Sequence, residues 1–221
     1  MRILYFTRAD TPHDRRFLTA LAGSGHEIWA LRLERASVRA EVPAGVKTAV
    51  WEGIPAPADL EEALAAAPAL AEVIAAVQPD LIHAGPVQLA AAAAARVGFH
   101  PLLAMSWGSD LLVDAGRDES WRAATLEALR GADWLACDNL AVAEKAAALG
   151  FPGERITRFA WGVNLAHFSP GGGEAVRERL DWQQAFILLS LRAWEPLYGV
   201  DVAARAFVRA AHRRPDLRLI L

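Results

Sequence analysis

Residues 161–170 read WGVNLAHFSP, and this stretch decides how the chain divides. It follows an apolar run at 156–160 that is typical of a strand. A glycine turn, a short polar residue, an aromatic residue and a proline then lead away from that strand without starting a helix. Such a segment is typical of a crossover between two domains. We therefore predict a first domain at 1–163, a linker at 164–173 and a second domain from 174 onward.

Strands and helices are predicted to alternate on both sides of this crossover. Apolar runs predict strands at 3–6, 26–31, 46–51, 80–84, 102–106, 134–137 and 156–160. Apolar residues at helical spacing predict helices at 11–25, at 60–77 with a break near Pro68, before Gly98, at 121–129 and at 140–149. The strands are continuously apolar, which favours a parallel sheet covered on both faces. The predicted fold class is therefore α/β, with a Rossmann-like, doubly wound sheet.

The segment after the linker predicts a single βαβ unit. Its strands are expected at 186–191 and 217–221, with a helix at 200–211 between them. Because the chain stops within the last predicted strand, we expect it to be a truncated part of a longer protein. The bare edge of that strand is expected to favour self-association.

Composition excludes several classes of protein. The net charge is −3 and the basic residues are scattered, so no nucleic-acid partner is indicated. The single cysteine, Cys137, lies in an apolar run and is expected to be a buried strand residue. No signal peptide and no apolar stretch long enough to span a bilayer is visible, which predicts a cytoplasmic location.

Polar residues recur where the predicted strands end. Ligands of an open parallel sheet bind outside the carboxyl ends of its strands. The residues at that edge are Thr7, Arg8, Asp10, His13, Asp14, His83, Gly85, Ser106, Trp107, Gly108, Ser109, Asp110, Asp138, Asn139 and Trp161 to Asn164. Their recurrence at one register of a βα repeat predicts a binding site there.

Several of these residues also have a purely structural interpretation. Asp14, Asp110 and Asn139 would serve as helix caps, and His83 would be a satisfied core residue. Arginines at positions 15 and 16 are more often solvated than ligand-binding. Trp107 is expected to line an open cleft and to stack on a ligand rather than seal the core.

A set of short motifs runs along nearly the whole chain in a fixed order. They are G-H-E-I at 25–28, P-D-L-I-H-A at 79–84, G-S-D at 108–110, A-D at 132–133, W-G-V-N-L-A-H-F-S-P at 161–170, and an arginine at 192 followed by Y-G-V-D at 198–201. In this order and spacing they resemble the family 4 glycosyltransferases, which are retaining enzymes of the two-domain GT-B type.

The chain departs from the family pattern at four positions. Asn164 stands where most members have aspartate, and Gly85 replaces a second histidine. Trp107 stands where a histidine is frequent, and Tyr198 replaces a lysine that clamps the donor diphosphate. A tyrosine donates one hydrogen bond but does not neutralise phosphate charge. The glycine-rich loop usual after the first strand is also missing, which indicates a divergent subgroup.

The resemblance implies transfer of a sugar from a nucleotide-sugar donor to an acceptor hydroxyl, with retention and without a metal cofactor. The acceptor would be a carbohydrate, a lipid or a small molecule, bound by the first domain. His83 and Asp110 are the candidate catalytic residues. The candidates for substrate contacts are His13, Asp14, His83, Trp107, Gly108, Ser109, Asp110, Asn139 and Asn164, and those for the donor phosphates are Arg192, Tyr198 and Gly199.

Three other functions compete with the transferase. A nicotinamide-dependent enzyme should show G-x-G-x-x-G after the first strand and an acid at the end of the second, and neither is present. A nucleotide-sugar epimerase of the same fold and a non-catalytic sugar-binding relative remain open. Because the second domain holds one βαβ unit, residues 1–221 alone are expected to be inactive.

Overall fold

The computed structural model describes residues 1–35 and 42–221 of the chain. These residues form two compact units, Met1–Gly162 and Val163–Leu221. Each unit has a β-sheet of its own.

The first unit is built on a parallel sheet that has seven strands within the described residues. The strands are β1 (Arg2–Thr7), β2 (Glu27–Arg32), β3 (Val46–Thr48), β4 (Leu81–Gly85), β5 (Leu102–Met105), β6 (Trp134–Cys137) and β7 (Ile156–Arg158). Their order is β3-β2-β1-β4-β5-β6-β7, so the direction of winding reverses between β1 and β4. The predicted doubly wound α/β fold is confirmed.

Seven α-helices of the described residues belong to this unit. They are α1 (Pro12–Ala22), α2 (Leu60–Ala65), α3 (Ala67–Val77), α4 (Ala92–Val97), α5 (Ser109–Leu112), α6 (Glu119–Gly131) and α7 (Leu140–Ala148). A π-helical turn, Val87–Ala91, leads into α4. Short 3-10 turns lie at Asp114–Gly116 and Gly153–Arg155.

The two faces of the sheet are covered unequally. One face packs against α2, α3, α4, α6 and α7 in the larger apolar cluster, which includes Leu4, Ile82 and Leu135. The opposite face packs against α1 in a smaller cluster around Tyr5 and Leu18. The aromatic residues described below lie on the α1 side.

Local sequence signals explain where several helices begin. Thr11 caps α1 and accepts a hydrogen bond from the backbone N–H of Asp14, whose carboxylate accepts from the backbone of Thr11, as the predicted capping box requires. Pro68 separates α2 from α3 by occupying the first turn of α3, as predicted. Helix α1 ends at Ala22 with Gly23 as its C-cap, two residues before Gly25, which was predicted to close it.

Both outer strands are shorter than predicted. β3 ends at Thr48 instead of residue 51, and β7 ends at Arg158 instead of residue 160. Among the described residues, each of these strands pairs with one neighbour, and its apolar run continues beyond the paired segment.

The second unit is a βαβ unit preceded by a short helix. It contains α8 (Glu174–Arg179), β8 (Phe186–Leu189), α9 (Val200–Ala211) and β9 (Leu217–Ile220). β8 and β9 pair in parallel, with Phe186 opposite Leu217. A 3-10 turn, Pro196–Tyr198, leads into α9. Across the described residues, none of the helices combines the length and apolar character needed to cross a membrane.

Candidate functional site

His83 lies in the middle of the sheet, next to the point where the winding reverses. It sits on β4 opposite Tyr5 of β1 and Leu103 of β5. Only 7% of the residue is exposed, and Nε2 has no hydrogen-bond partner among the described residues. Its ring instead meets aromatic rings edge-on, that of Tyr5 at 5.0 Å and that of Phe17 at 6.3 Å.

Burial decides the charge state of His83. Loss of hydration lowers the pKa of its imidazole from 6.5 to about 4, so the ring is neutral at pH 7. A neutral imidazole keeps one nitrogen that donates a hydrogen bond and one that accepts. An unpaired polar atom in the interior costs free energy, and such atoms are frequent at functional sites. His83 therefore stays a candidate for ligand contact.

Asp14 is held by the fold on both carboxylate oxygens. It accepts hydrogen bonds from Oη of Tyr5 at 2.8 Å, Oγ1 of Thr7 at 2.9 Å, and the backbone N–H and hydroxyl of Thr11 at 3.0 and 2.5 Å. Only 1% of Asp14 is exposed. Burial and the neighbouring carboxylate both raise the pKa of Tyr5, which keeps its hydroxyl protonated as a donor. The contacts of Asp14 thus fix the β1–α1 loop and the first turn of α1, which carries His13.

Asp110 has the same role in the loop after β5. Its carboxylate is 3% exposed and accepts five hydrogen bonds within the chain. The donors are Oγ of Ser106 at 2.6 Å and the backbone N–H groups of Val87, Trp107, Gly108 and Leu111 at 2.9 to 3.2 Å. Burial raises the pKa of Asp110, while these hydrogen bonds oppose that rise. Asp110 is not the N-cap of α5, which is Gly108. It ties the β5 loop to the start of the segment after β4.

Two glycines at this edge are required by the backbone. Gly108 has φ +100°, a backbone conformation that residues with a side chain rarely adopt. It directly follows Trp107 and precedes α5. At Gly85, a Cβ atom would lie 2.6 Å from the carbonyl oxygen of Met105. The histidine that the family pattern places at position 85 would therefore require the backbone to move. Ser109, next to Gly108, is exposed.

Five rings form a continuous group above the edge, which we call the aromatic cluster. Its members are His13, Phe17, Trp107, Phe159 and Trp161. The ring centroids of Trp107 lie 5.6 Å from His13, 6.0 Å from Phe17 and 5.5 Å from Trp161. These spacings are those of interacting aromatic pairs. The cluster joins α1, the β5 loop and the segment after β7.

The structure refines the expectation for Trp107. The residue is half-buried and packs against the smaller apolar cluster, together with Trp161. Its ring therefore contributes to packing, and stacking of the ring on a ligand stays a prediction. His13 and Phe159 are exposed members of the aromatic cluster, so a face of the cluster stays accessible.

The remaining candidate of the first unit, Asn139, is a helix cap. Its Oδ1 accepts from the backbone N–H of Val142 at 3.0 Å, and its Nδ2 donates to Asp138 at 2.6 Å. Cys137 is buried and free, as predicted, and burial raises the pKa of its thiol. Because Asn139 is engaged within the chain and Cys137 is buried, the end of β6 offers fewer groups to a ligand than the aromatic cluster does.

The basic residues of the β1–α1 region differ in their partners. Asp10 pairs with Arg15 at 2.8 Å and lies 3.6 Å from Arg32. Glu34 pairs with Arg8 at 2.6 Å.

Arg16 contacts the imidazole of His13 instead of an acid. Its Nη2 forms a hydrogen bond with Nδ1 of His13, and its Nε is buried without a partner among the described residues. No ion pair of Arg16 with an acid is found in the described part of the chain.

The second unit holds the candidates for the donor phosphates. The guanidinium of Arg192 lies 5.7 Å from the ring centroid of Tyr198. Gly199 has φ +61° and directly precedes α9. An open cavity of about 630 Å³ lies beside this turn, lined in part by Trp194 and Gly199. Asn164 also belongs to this unit, where its side chain accepts from the backbone of Ala166.

Sequence reasoning missed three contributors. Phe17 and Phe159 are not among the site residues predicted from the sequence, and for Arg16 the sequence favours a solvated side chain. Phe17 lies four residues after His13, on the same side of α1, and Phe159 alternates with Trp161 after β7. These spacings could have indicated that Phe17 and Phe159 lie beside His13 and Trp161. Within residues 1–35 and 42–221, no group of three or more His, Cys, Asp or Glu residues is placed to hold a metal ion.

Comparison with known proteins gives one family match. A sequence model of the family described as glycosyl transferase 4-like matches residues 2–139. No curated protein sequence matches the chain significantly.

Solved structures with similar folds include HepE, a sucrose-phosphate synthase and a UDP-GlcNAc 2-epimerase. HepE of Anabaena in complex with UDP and glucose has 17% identity and a TM-score of 0.71, over 100% of this chain and 60% of HepE. Sucrose-phosphate synthase of Thermosynechococcus elongatus has 16% identity and a TM-score of 0.72, over 99% and 61%. UDP-GlcNAc 2-epimerase of Neisseria meningitidis bound to UDP-GlcNAc has 12% identity and a TM-score of 0.56, over 100% and 66%. At these identities the likeness concerns the fold, and this chain spans about 60% of the first two proteins.

Proposed function

The chain belongs to the glycosyl transferase 4-like family, and on this premise we propose that it is the acceptor-binding domain and the start of the donor-binding domain of a GT-B glycosyltransferase. The transferred group is a sugar from a nucleotide-sugar donor, and the configuration at its anomeric carbon is retained. The observation that carries the proposal is the family match over residues 2–139, which includes the carboxyl edge where His83, Trp107 and Asp110 lie.

Groups at this edge support acceptor binding. The exposed rings of the aromatic cluster suit the apolar face of a sugar ring or another flat group. Beneath them, Nε2 of His83 is buried and unpaired among the described residues, so an acceptor hydroxyl would satisfy it. Because the imidazole is neutral at pH 7, it would accept a proton from that hydroxyl or orient it. Asp14 and Asp110 keep the two loops in place.

The second unit supports donor binding. α9 begins without a side-chain cap, so its first N–H groups are available to an anion such as a diphosphate. Arg192 would supply positive charge, and Tyr198 a hydrogen bond. With these groups in place, we propose that transfer requires no metal ion.

A second candidate is a nucleotide-sugar epimerase. It is favoured by the structural likeness to the Neisseria meningitidis epimerase, although that likeness is weaker than the one to HepE. An epimerase converts its nucleotide sugar without an acceptor, and this difference separates the two functions experimentally.

The test is an assay with UDP-, GDP- and ADP-sugars and a panel of carbohydrate, lipid and small-molecule acceptors. It compares residues 1–221 with a longer protein that contains them and a whole second nucleotide-binding domain. We expect the longer protein to transfer the sugar with retention, equally well with and without a chelator. We expect residues 1–221 to transfer none, to bind donors weakly and to self-associate in a size measurement.

Three results would overturn parts of this proposal. Conversion of the donor sugar to its epimer without an acceptor would favour the epimerase. Absence of any donor turnover by the longer protein would indicate a non-catalytic sugar-binding relative. Micromolar donor binding by monomeric residues 1–221 would show that the assumed division between the two domains is wrong.

A further inference from the structure

Arg16 and Arg15 are neighbours on α1 with opposite surroundings. Arg15 is exposed and forms an ion pair with Asp10 at 2.8 Å. Arg16 is half-buried, and its Nε is enclosed without any hydrogen-bond acceptor among the described residues. A partly desolvated guanidinium without an acid partner is unfavourable for folding alone. Arg16 therefore carries a charge that the described part of the chain does not neutralise.

His13, which contacts Arg16, adds a further hydrogen-bond donor next to the guanidinium. A guanidinium has only donors, so Nδ1 of His13 accepts the hydrogen bond from Nη2 of Arg16. In the neutral imidazole the proton then lies on Nε2. His13 is exposed, and its ring lies 5.6 Å from that of Trp107, with the two planes tilted by 42°. The pair thus brings a guanidinium and an imidazole to the border of the aromatic cluster, to which His13 belongs.

We propose that this pair binds an oxyanion of the acceptor, either a phosphate monoester or a carboxylate. Arginine is the residue best suited to such groups, because its planar N–H donors match two oxygens at once. The ring or apolar part of the acceptor then lies on the aromatic cluster, beside the Arg16–His13 pair. This inference rests on the proposed function only in identifying the ligand as the acceptor. Binding of an oxyanion by Arg16 and His13 does not depend on sugar transfer.

The experiment uses residues 1–221 and two probes, inorganic phosphate and acetate. Each probe is titrated at constant ionic strength, set with sodium chloride, while the Nε–H signals of the arginines and the ring signals of His13 are followed by NMR. The variant Arg16→Gln identifies the Arg16 signal. Arg15→Gln is the matched control, because it removes the same charge from the same turn of α1.

We expect saturable shifts of the Arg16 and His13 signals with one or both probes. Arg16→Gln should weaken probe binding about 10- to 100-fold, as expected for loss of a charge-assisted hydrogen bond, and Arg15→Gln should weaken it less than about threefold. Response to phosphate alone assigns a phosphate monoester, and response to acetate alone assigns a carboxylate.

Two results would overturn the inference. Equal weakening by both variants would show general attraction by positive charge, and an Arg16 signal that does not respond to either probe would show that no anion site exists. Thermal melting of each variant confirms that it is folded. Failure of sugar transfer in the assay described above would leave this binding result intact, so the two proposals fail separately.

Discussion

Two buried carboxylates and two buried nitrogen atoms of the first unit differ in their hydrogen bonding. Asp14 and Asp110 accept four and five hydrogen bonds, respectively. Nε2 of His83 and Nε of Arg16 have no partner within the described residues. Asp14, Arg16 and Asp110 lie in the segments that follow β1 and β5, and His83 lies within β4, between these two strands.

The difference separates residues that hold the site from residues that are open to a ligand. A carboxylate whose oxygens are engaged by loop donors stabilises the loop and has little capacity left for substrate. A buried nitrogen without a partner makes the folded protein less stable than it would be with an apolar side chain. Asp110, a candidate catalytic residue from the sequence, is therefore better placed to position Trp107 than to react, whereas His83 keeps the capacity for chemistry.

The largest expected effect is on stability, in Asp110→Ala. The change leaves five donors without their acceptor, and we expect the free energy of unfolding to fall by about 2 to 4 kcal/mol. Denaturant unfolding measures it. Ser109→Ala, at the exposed neighbouring position, is the control and should stay within about 0.5 kcal/mol of the wild type. A loss below about 1 kcal/mol in Asp110→Ala would mean that the carboxylate does not hold the loop.

An intermediate effect is expected for Trp107→Ala. The ring is half-buried, so the loss of stability should be about 1 to 2 kcal/mol, less than for a fully buried tryptophan. Loss of the ring should also raise the KM for the acceptor in the longer protein, because a face of the aromatic cluster would be missing.

Trp134→Ala is the matched control for this change. Trp134 is a tryptophan at the opposite end of the sheet, at the start of β6, and is 42% exposed. Its removal should leave the acceptor KM unchanged. An unchanged KM in Trp107→Ala, or a stability loss of several kcal/mol, would assign Trp107 to packing alone.

Much of the fold was predictable because its signals are local. Buried parallel strands are continuously apolar, so their positions were visible in the sequence. The capping box of Thr11 and Asp14 spans three residues and was equally visible. The lengths of β3 and β7 were not, since a strand with one neighbour ends where pairing ends, and pairing is a property of the sheet.

The site was predictable only in part, because its contacts are long-range. The edge and most of its polar residues followed from the βα repeat. The bond from Val87 to Asp110 joins residues 23 positions apart, and this link, unlike capping, leaves no pattern in the sequence. The aromatic cluster likewise joins Phe17 to Trp161 across most of the first unit. The missing partner of Arg16 is a tertiary property and could not be read from its position next to Arg15.

The smallest effect on stability at pH 7 is expected for His83→Leu, and it tests the central claim most directly. The claim is that His83 is kept for a ligand and not for the fold. Burial depresses the pKa of His83 from 6.5 to about 4, so the unfolded chain binds the proton more readily between these values. The wild type should therefore lose about 3 kcal/mol of stability from this group as the pH falls from 6.5 to 4.

The measurement is the free energy of unfolding of wild type and His83→Leu from pH 4 to pH 8. We expect the variant to be at least as stable as the wild type at pH 7 and to lack the loss of stability that His83 causes as the pH falls. In the longer protein, the substitution should abolish sugar transfer. A variant that is less stable by more than about 1 kcal/mol at pH 7 would contradict the account, because it would show that the imidazole is bonded within the fold.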